Sequence, residues 1–99
     1  MAFVARFAPE GLTSDAYDKI IKRLKEAGLG SPEGRLYHVA FGDPNSLLVS
    51  DIWDTHEAMA RFREKLEPIL KELGVAPSEP QILEVHNVIE GQRTTTAAG

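Results

Sequence analysis

Few side chains in this sequence of 99 residues could do chemistry: three histidines, one tryptophan and two tyrosines, with no cysteine. His38 and Asp51 form the most suggestive pair. They lie in two strand-like runs, Arg35 to Phe41 and Leu47 to Trp53, separated by Gly42-Asp43-Pro44-Asn45-Ser46. If Gly42 pairs with Leu47, His38 faces Asp51 and Leu36 faces Trp53. A carboxylate then orients an imidazole beside an aromatic wall, which is the arrangement of a general base. A slip of one residue on either strand would put His38 opposite Ser50 or Ile52 instead. The paired register is favoured because it leaves Asp43 to Ser46 as a compact turn, with Pro44 and Asn45 suited to its centre. The same pair also reads as a satisfied contact on a sheet with no catalytic use. Trp53 either stacks on a flat ligand or fills the core. Tyr17 either places a hydroxyl in a pocket or anchors its helix. Glu84 and His86 share one face of the last strand-like run, where His86 could complete a polar pocket with His38, bridge subunits, or make an ordinary hydrogen bond. Arg6 is read as an ion-pair partner and His56 as a surface residue.

Other chemistries find no support. Three histidines with Asp51 and Glu84 could supply metal ligands, but no His-x-His or helical histidine pair occurs, so every ligand would come from a different element, and no metal is expected. There is no Gly-x-Ser-x-Gly elbow, and Gly28-Leu29-Gly30 follows a helix instead of opening one, which excludes a phosphate cradle. Fifteen acidic against eleven basic residues give a formal charge of −4, unsuited to nucleic acid or an anionic membrane. No apolar run approaches membrane-spanning length, and Met-Ala-Phe-Val-Ala-Arg lacks the form of a signal peptide. Together with the missing cysteines, this fits a cytoplasmic location.

The elements that must position these residues can be read from periodicity. Phe3 to Phe7 alternates as a strand and ends at Pro9 and Gly11. Thr13 or Ser14 caps a helix whose apolar positions Tyr17, Ile20, Ile21, Leu24 and Ala27 recur at helical spacing until Gly28. After the hairpin, Asp54 or Thr55 caps a second helix, Glu57 completes a capping box with Asp54, and Met59, Phe62, Leu66, Ile69, Leu70 and Leu73 form its stripe. Pro68 is expected to kink this helix or restart it. Gln81 to Ile89 is the last strand. Strand, helix, strand, strand, helix, strand is the α+β, ferredoxin-like order, with two helices on one face of a four-stranded antiparallel sheet. Residues 1–90 are expected to form this single domain and 91–99 a flexible tail. Because the first and last strands are apolar on both faces, the other sheet face calls for a symmetric partner, so a homodimer through that face is expected.

Asp51-Ile52-Trp53-Asp54-Thr55-His56-Glu57-Ala58-Met59, a strand ending in Trp followed at once by a capped helix, resembles the corresponding stretch of dimeric α+β barrel proteins, including the antibiotic-biosynthesis monooxygenase family. The element order agrees over roughly residues 1–90. The resemblance implies sheet-to-sheet dimers and a pocket between each sheet and its helices, in which the Trp53 counterpart lines the ligand site. Activities in that group range from cofactor-free oxidation of quinol-like aromatics to heme degradation, isomerisation and none known. The heme branch uses an Asn on the first strand, where Phe7 stands here, and a His on the second helix, which has none after His56, so heme is not expected. The leading expectation is a cofactor-free monooxygenase acting on a phenol or quinol-like aromatic. His38 would be the base, Asp51 its orienter, Trp53 and Phe41 pocket walls, Tyr17 a hydrogen-bond donor and His86 a further contact. The competing expectation is a non-catalytic ligand-binding or protein-interaction module of the same fold.

Overall fold

The computed structural model describes residues 2–94. The chain runs β1 (Phe3–Phe7), α1 (Ser14–Glu26), β2 (Arg35–Asp43), β3 (Ser46–Trp53), α2 (His56–Glu72) and β4 (Gln81–Glu84). All neighbouring strands are antiparallel, in the order β2-β3-β1-β4, so the ferredoxin-like α+β arrangement is observed. Both helices share one sheet face. Ile20 and Leu24 of α1 and Ala58, Phe62 and Ile69 of α2 join Phe3, Ala5, Leu47 and Trp53 of the sheet in one buried cluster. Part of the expected tail, residues 95–99, lies outside the described residues.

Local chemistry accounts for the element ends. Thr13 caps α1 by accepting from the Ala16 N–H at 3.1 Å, and Thr55 caps α2 by accepting from the Ala58 N–H at 3.1 Å. Thr55, not Asp54, is therefore the cap, and the Asp54–Glu57 box is not formed. The β2–β3 turn is Asp43 to Ser46, tightened by an Asp43 Oδ1 that accepts from the Asn45 N–H at 2.8 Å. Backbone bonds from Ser14 N–H to the Pro44 carbonyl (2.7 Å) and from Leu47 N–H to the Leu12 carbonyl (2.8 Å) tie the start of α1 to this turn. The helix is thereby fixed over the hairpin that carries His38.

Three expectations about the elements are corrected. Pro68 does not restart α2 as a second piece, the helix running continuously to Glu72. Pro68 and Glu64, four residues earlier, are both exposed, so water can solvate the carbonyl that loses its partner while Phe62 and Ile69 stay packed below. The last strand stops at Glu84 and does not reach Ile89, because its only neighbour, β1, begins at Phe3 opposite Glu84 and a single bond from Val85 N–H to the Ala2 carbonyl ends the ladder. Leu36 does not face Trp53. A bulge between Arg35 and Tyr37 places Arg35 there, and Leu36 is 61% exposed.

The opposite sheet face carries Val4, Leu48, Ile52, Tyr37, Val39, Phe41 and Leu83, following the strand registers. Among the described residues no element packs over it, and Tyr37 and Leu83 are 58% and 47% exposed. Among the described residues no helix is long and apolar enough to cross a membrane.

Candidate functional site

Strand pairing builds the site. Gly42 pairs with Leu47, and four rungs along His38 pairs with Asp51, so the two side chains share the helix-facing side of the sheet. Asp51 is the only buried charged residue described, 6% exposed. Its Oδ1 lies 2.5 Å from His38 Nδ1, a short charge-assisted bond in which the ring N–H donates to the carboxylate. With Nδ1 so engaged, Nε2 of the neutral ring is an acceptor, and the Tyr17 hydroxyl sits 2.6 Å from it. The phenol and imidazole planes are nearly parallel, 4° apart. Tyr17, His38 and Asp51, from α1, β2 and β3, thus form one hydrogen-bonded chain.

That chain abuts a cavity of about 120 Å³ between helices and sheet, partly open to solvent. Its walls are mainly apolar, among them Phe7, Ile20, Leu24, Val49, Met59, Phe62 and Leu66, and the chain's three members and Trp53 also line it. That is somewhat below the roughly 150 Å³ of a cavity that admits benzene, so with its open side it has room for no more than a single ring. Burial, the dominant influence, pushes the Tyr17 phenol above its ordinary value of 10.0, partly opposed by Arg35 and reinforced by the negative charges of Asp51 and Asp18. A free tyrosinate is therefore disfavoured. Tyr17 is suited to pass a proton on, accepting one from the cavity as its own moves to His38.

Of the side chains singled out from sequence, Tyr17, His38, Asp51 and Trp53 are brought together. Phe41 is not: it pairs with Leu48, which puts it on the opposite sheet face from His38, 37% exposed. His86 also lies away from the cavity, exposed and past the end of β4. His38 differs from its expected role as well, since Tyr17 occupies the nitrogen that was to face the ligand. The expected His56 is exposed and stacks on Phe3 with ring centroids 4.0 Å apart. Arg6 is exposed on the far face, with no ion pair among the described residues.

Two cavity residues were missed. Arg35 lies over the Phe62 ring, 5.3 Å from its centre, and donates to the Gly30 carbonyl at 3.2 Å. Simple alternation puts residues 35 and 38 on opposite faces, and only the bulge brings them to the same side. Arg63 lines the rim and pairs loosely with Glu67 (3.7 Å) and with Glu79 (3.8 Å), beside the segment carrying Val75, Ala76 and Ser78. Among the described residues no group of three or more His, Cys, Asp or Glu side chains could hold a metal ion.

No family model matches the sequence, and no curated protein matches it either. Solved structures do match. SnoaB, a cofactor-independent oxygenase from Streptomyces nogalater, is 20% identical with a TM-score of 0.59, the match covering 91% of this chain and 96% of that one. A candidate antibiotic biosynthesis monooxygenase from Deinococcus radiodurans is 17% identical with a TM-score of 0.57, covering 94% of this chain and 100% of the other. The NE2512 protein of unknown function from Nitrosomonas europaea is 12% identical with a TM-score of 0.60, covering 93% and 94%. These likenesses establish that the chain has the ferredoxin-like α+β fold of the antibiotic biosynthesis monooxygenase structures.

Proposed function

We propose that this protein is a cofactor-free monooxygenase of the antibiotic-biosynthesis type, acting on a single-ring phenol or quinol-like aromatic. The observation that carries the proposal is the Tyr17–His38–Asp51 chain beside an apolar cavity of ring size. The fold shared with a cofactor-independent oxygenase supports it.

In this reading the substrate hydroxyl gives its proton to Tyr17 as the Tyr17 proton passes to His38, and Asp51 stabilises the imidazolium that forms. The electron-rich phenolate then transfers one electron to O₂, and the radical pair joins to make a C–O bond at a ring C–H carbon. The hydroperoxide so formed takes back the proton held by the relay and loses water, leaving a quinone carbonyl. Phenol and O₂ give quinone and water, with no further oxidant. The apolar walls exclude bulk water and Trp53 offers a flat surface for the ring. The uncovered apolar sheet face supports a homodimer formed through it, and the cysteine-free composition supports a cytoplasmic location.

Oxygen uptake with a panel of single-ring phenols and quinols tests the reading. Saturable uptake with quinone formation is expected, and Tyr17→Phe, His38→Ala and Asp51→Asn should each slow it by about 10² to 10⁴ while the protein stays folded. Rings that bind without turnover, or variants as fast as the parent, would replace the enzyme with a binding module.

A further inference from the structure

Arg35 is set apart from the other cavity cation by its lack of a counter-charge. Arg63 has Glu67 and Glu79, whereas no carboxylate lies within ion-pair distance of Arg35 among the described residues. Of its five guanidinium donors, one bonds to the Gly30 carbonyl, and its Cζ lies over the Phe62 ring, 5.3 Å from the centre. Directly across the strand pair stands Trp53, 1% exposed, whose Nε1 is buried with no acceptor among the described residues. A buried donor left unpaired costs free energy that an acceptor would recover. A cation with no carboxylate in ion-pair reach among the described residues and the tryptophan that bears the orphan N–H therefore sit on one rung of the sheet, and both residues line the same cavity.

We infer that Arg35 and Trp53 form an anion subsite, and that the ring held in the cavity carries a carboxylate as well as its hydroxyl. The Arg35–Trp53 and His38–Asp51 rungs are two residues apart along β3, roughly 7 Å. A para-hydroxybenzoate, whose carboxylate and hydroxyl lie at opposite ends of one ring, suits this arrangement, its carboxylate directed to the Arg35 rung and its hydroxyl to Tyr17 beside the His38 rung, with the ring in the apolar space between. Asp51 is not paired with Arg35: its Oδ1 is engaged by His38, and it makes no ion pair with the guanidinium. The inference rests on the ring-binding reading of the cavity and is independent of turnover.

Calorimetric titration of 4-hydroxybenzoate, 4-hydroxybenzamide and phenol into the full chain tests it, the amide being a neutral isostere of the acid. The acid should bind about 10- to 100-fold tighter than the amide, the loss expected for a charge-assisted bond. Arg35→Gln should remove that preference while leaving phenol binding within a few-fold. The comparison of acid with amide needs only the unaltered protein, so the test stands even where the variant folds poorly. If amide or phenol binds as well as the acid, the anion subsite is refuted and the aromatic cavity remains. If none of the three binds, the ring-binding reading fails together with it.

Discussion

Gly34→Ala should destabilise the protein severely and, with it, the placement of Arg35. Gly34 has φ +89°, in the left-handed region, and its carbonyl accepts from the Asp54 N–H at 2.9 Å where the chain passes beneath the start of α2. A Cβ there would stand 2.5 Å from the Ala58 Cβ and 2.7 Å from Asp54 Oδ1. Ala58 is a buried core residue, 4% exposed, and cannot step aside without moving the helix. Two costs combine: about 1–2 kcal/mol for a side chain at positive φ, and about 1–3 kcal/mol for overpacking. Their sum, about 2–5 kcal/mol, is a large share of a small domain's stability and lowers the melting temperature by about 8–40 °C. Gly11→Ala is the control, because Gly11 has φ +69° but nothing lies within 4 Å of its added Cβ, so only the backbone cost applies. Thermal melts followed by circular dichroism compare the two. Equal losses at both positions would refute the close approach of Gly34 to Ala58, and with it the packing that holds the start of β2 against α2.

Phe62→Ala should cost about 3–5 kcal/mol, since Phe62 is buried against Trp53 and supports Arg35, whereas exposed Lys22→Ala should change stability by less than about 0.5 kcal/mol; urea denaturation reads both. Burial raises the Tyr17 pKa, so an ultraviolet difference titration of the protein against Tyr17→Phe should place its ionisation above 10.0, and a midpoint at or below that value contradicts the buried phenol. The folded state then keeps a proton that the unfolded state loses, so this contribution to stability is whole below pH 10.0 and declines as pH rises from there through the folded-state value. Sedimentation at micromolar concentration should show a dimer that Val39→Asp dissociates, and a monomeric parent protein would leave the apolar sheet face unexplained.

The hairpin was readable because Pro44-Asn45 restricts where the turn can fall, and once that is set the His38–Asp51 rung follows from counting. The same counting puts Phe41 on the face opposite His38, so strand parity alone argues against a place for it in the pocket. Arg35 escaped because a bulge carries no strong sequence mark. Gly34 is the nearest hint, and glycine also ends many turns. His86 shares the parity of Glu84, but a strand's length depends on its neighbour, and β1 runs out first. The bond between Tyr17 and His38 joins residues 21 apart and depends on how α1 docks, which no local pattern encodes. Helical spacing could show only that Tyr17 faces inward.

In the proposed reaction Tyr17, His38 and Asp51 move a proton as one unit. Turnover of Tyr17→Phe, Asp51→Asn and the double variant measures this most directly. Groups that act together lose their contribution once, so each single change should slow the reaction by about 10² to 10⁴ and the double variant should be no slower than the slower single. Losses that multiply in the double variant, or a Tyr17→Phe protein that retains the parent rate, would contradict a relay through these three side chains.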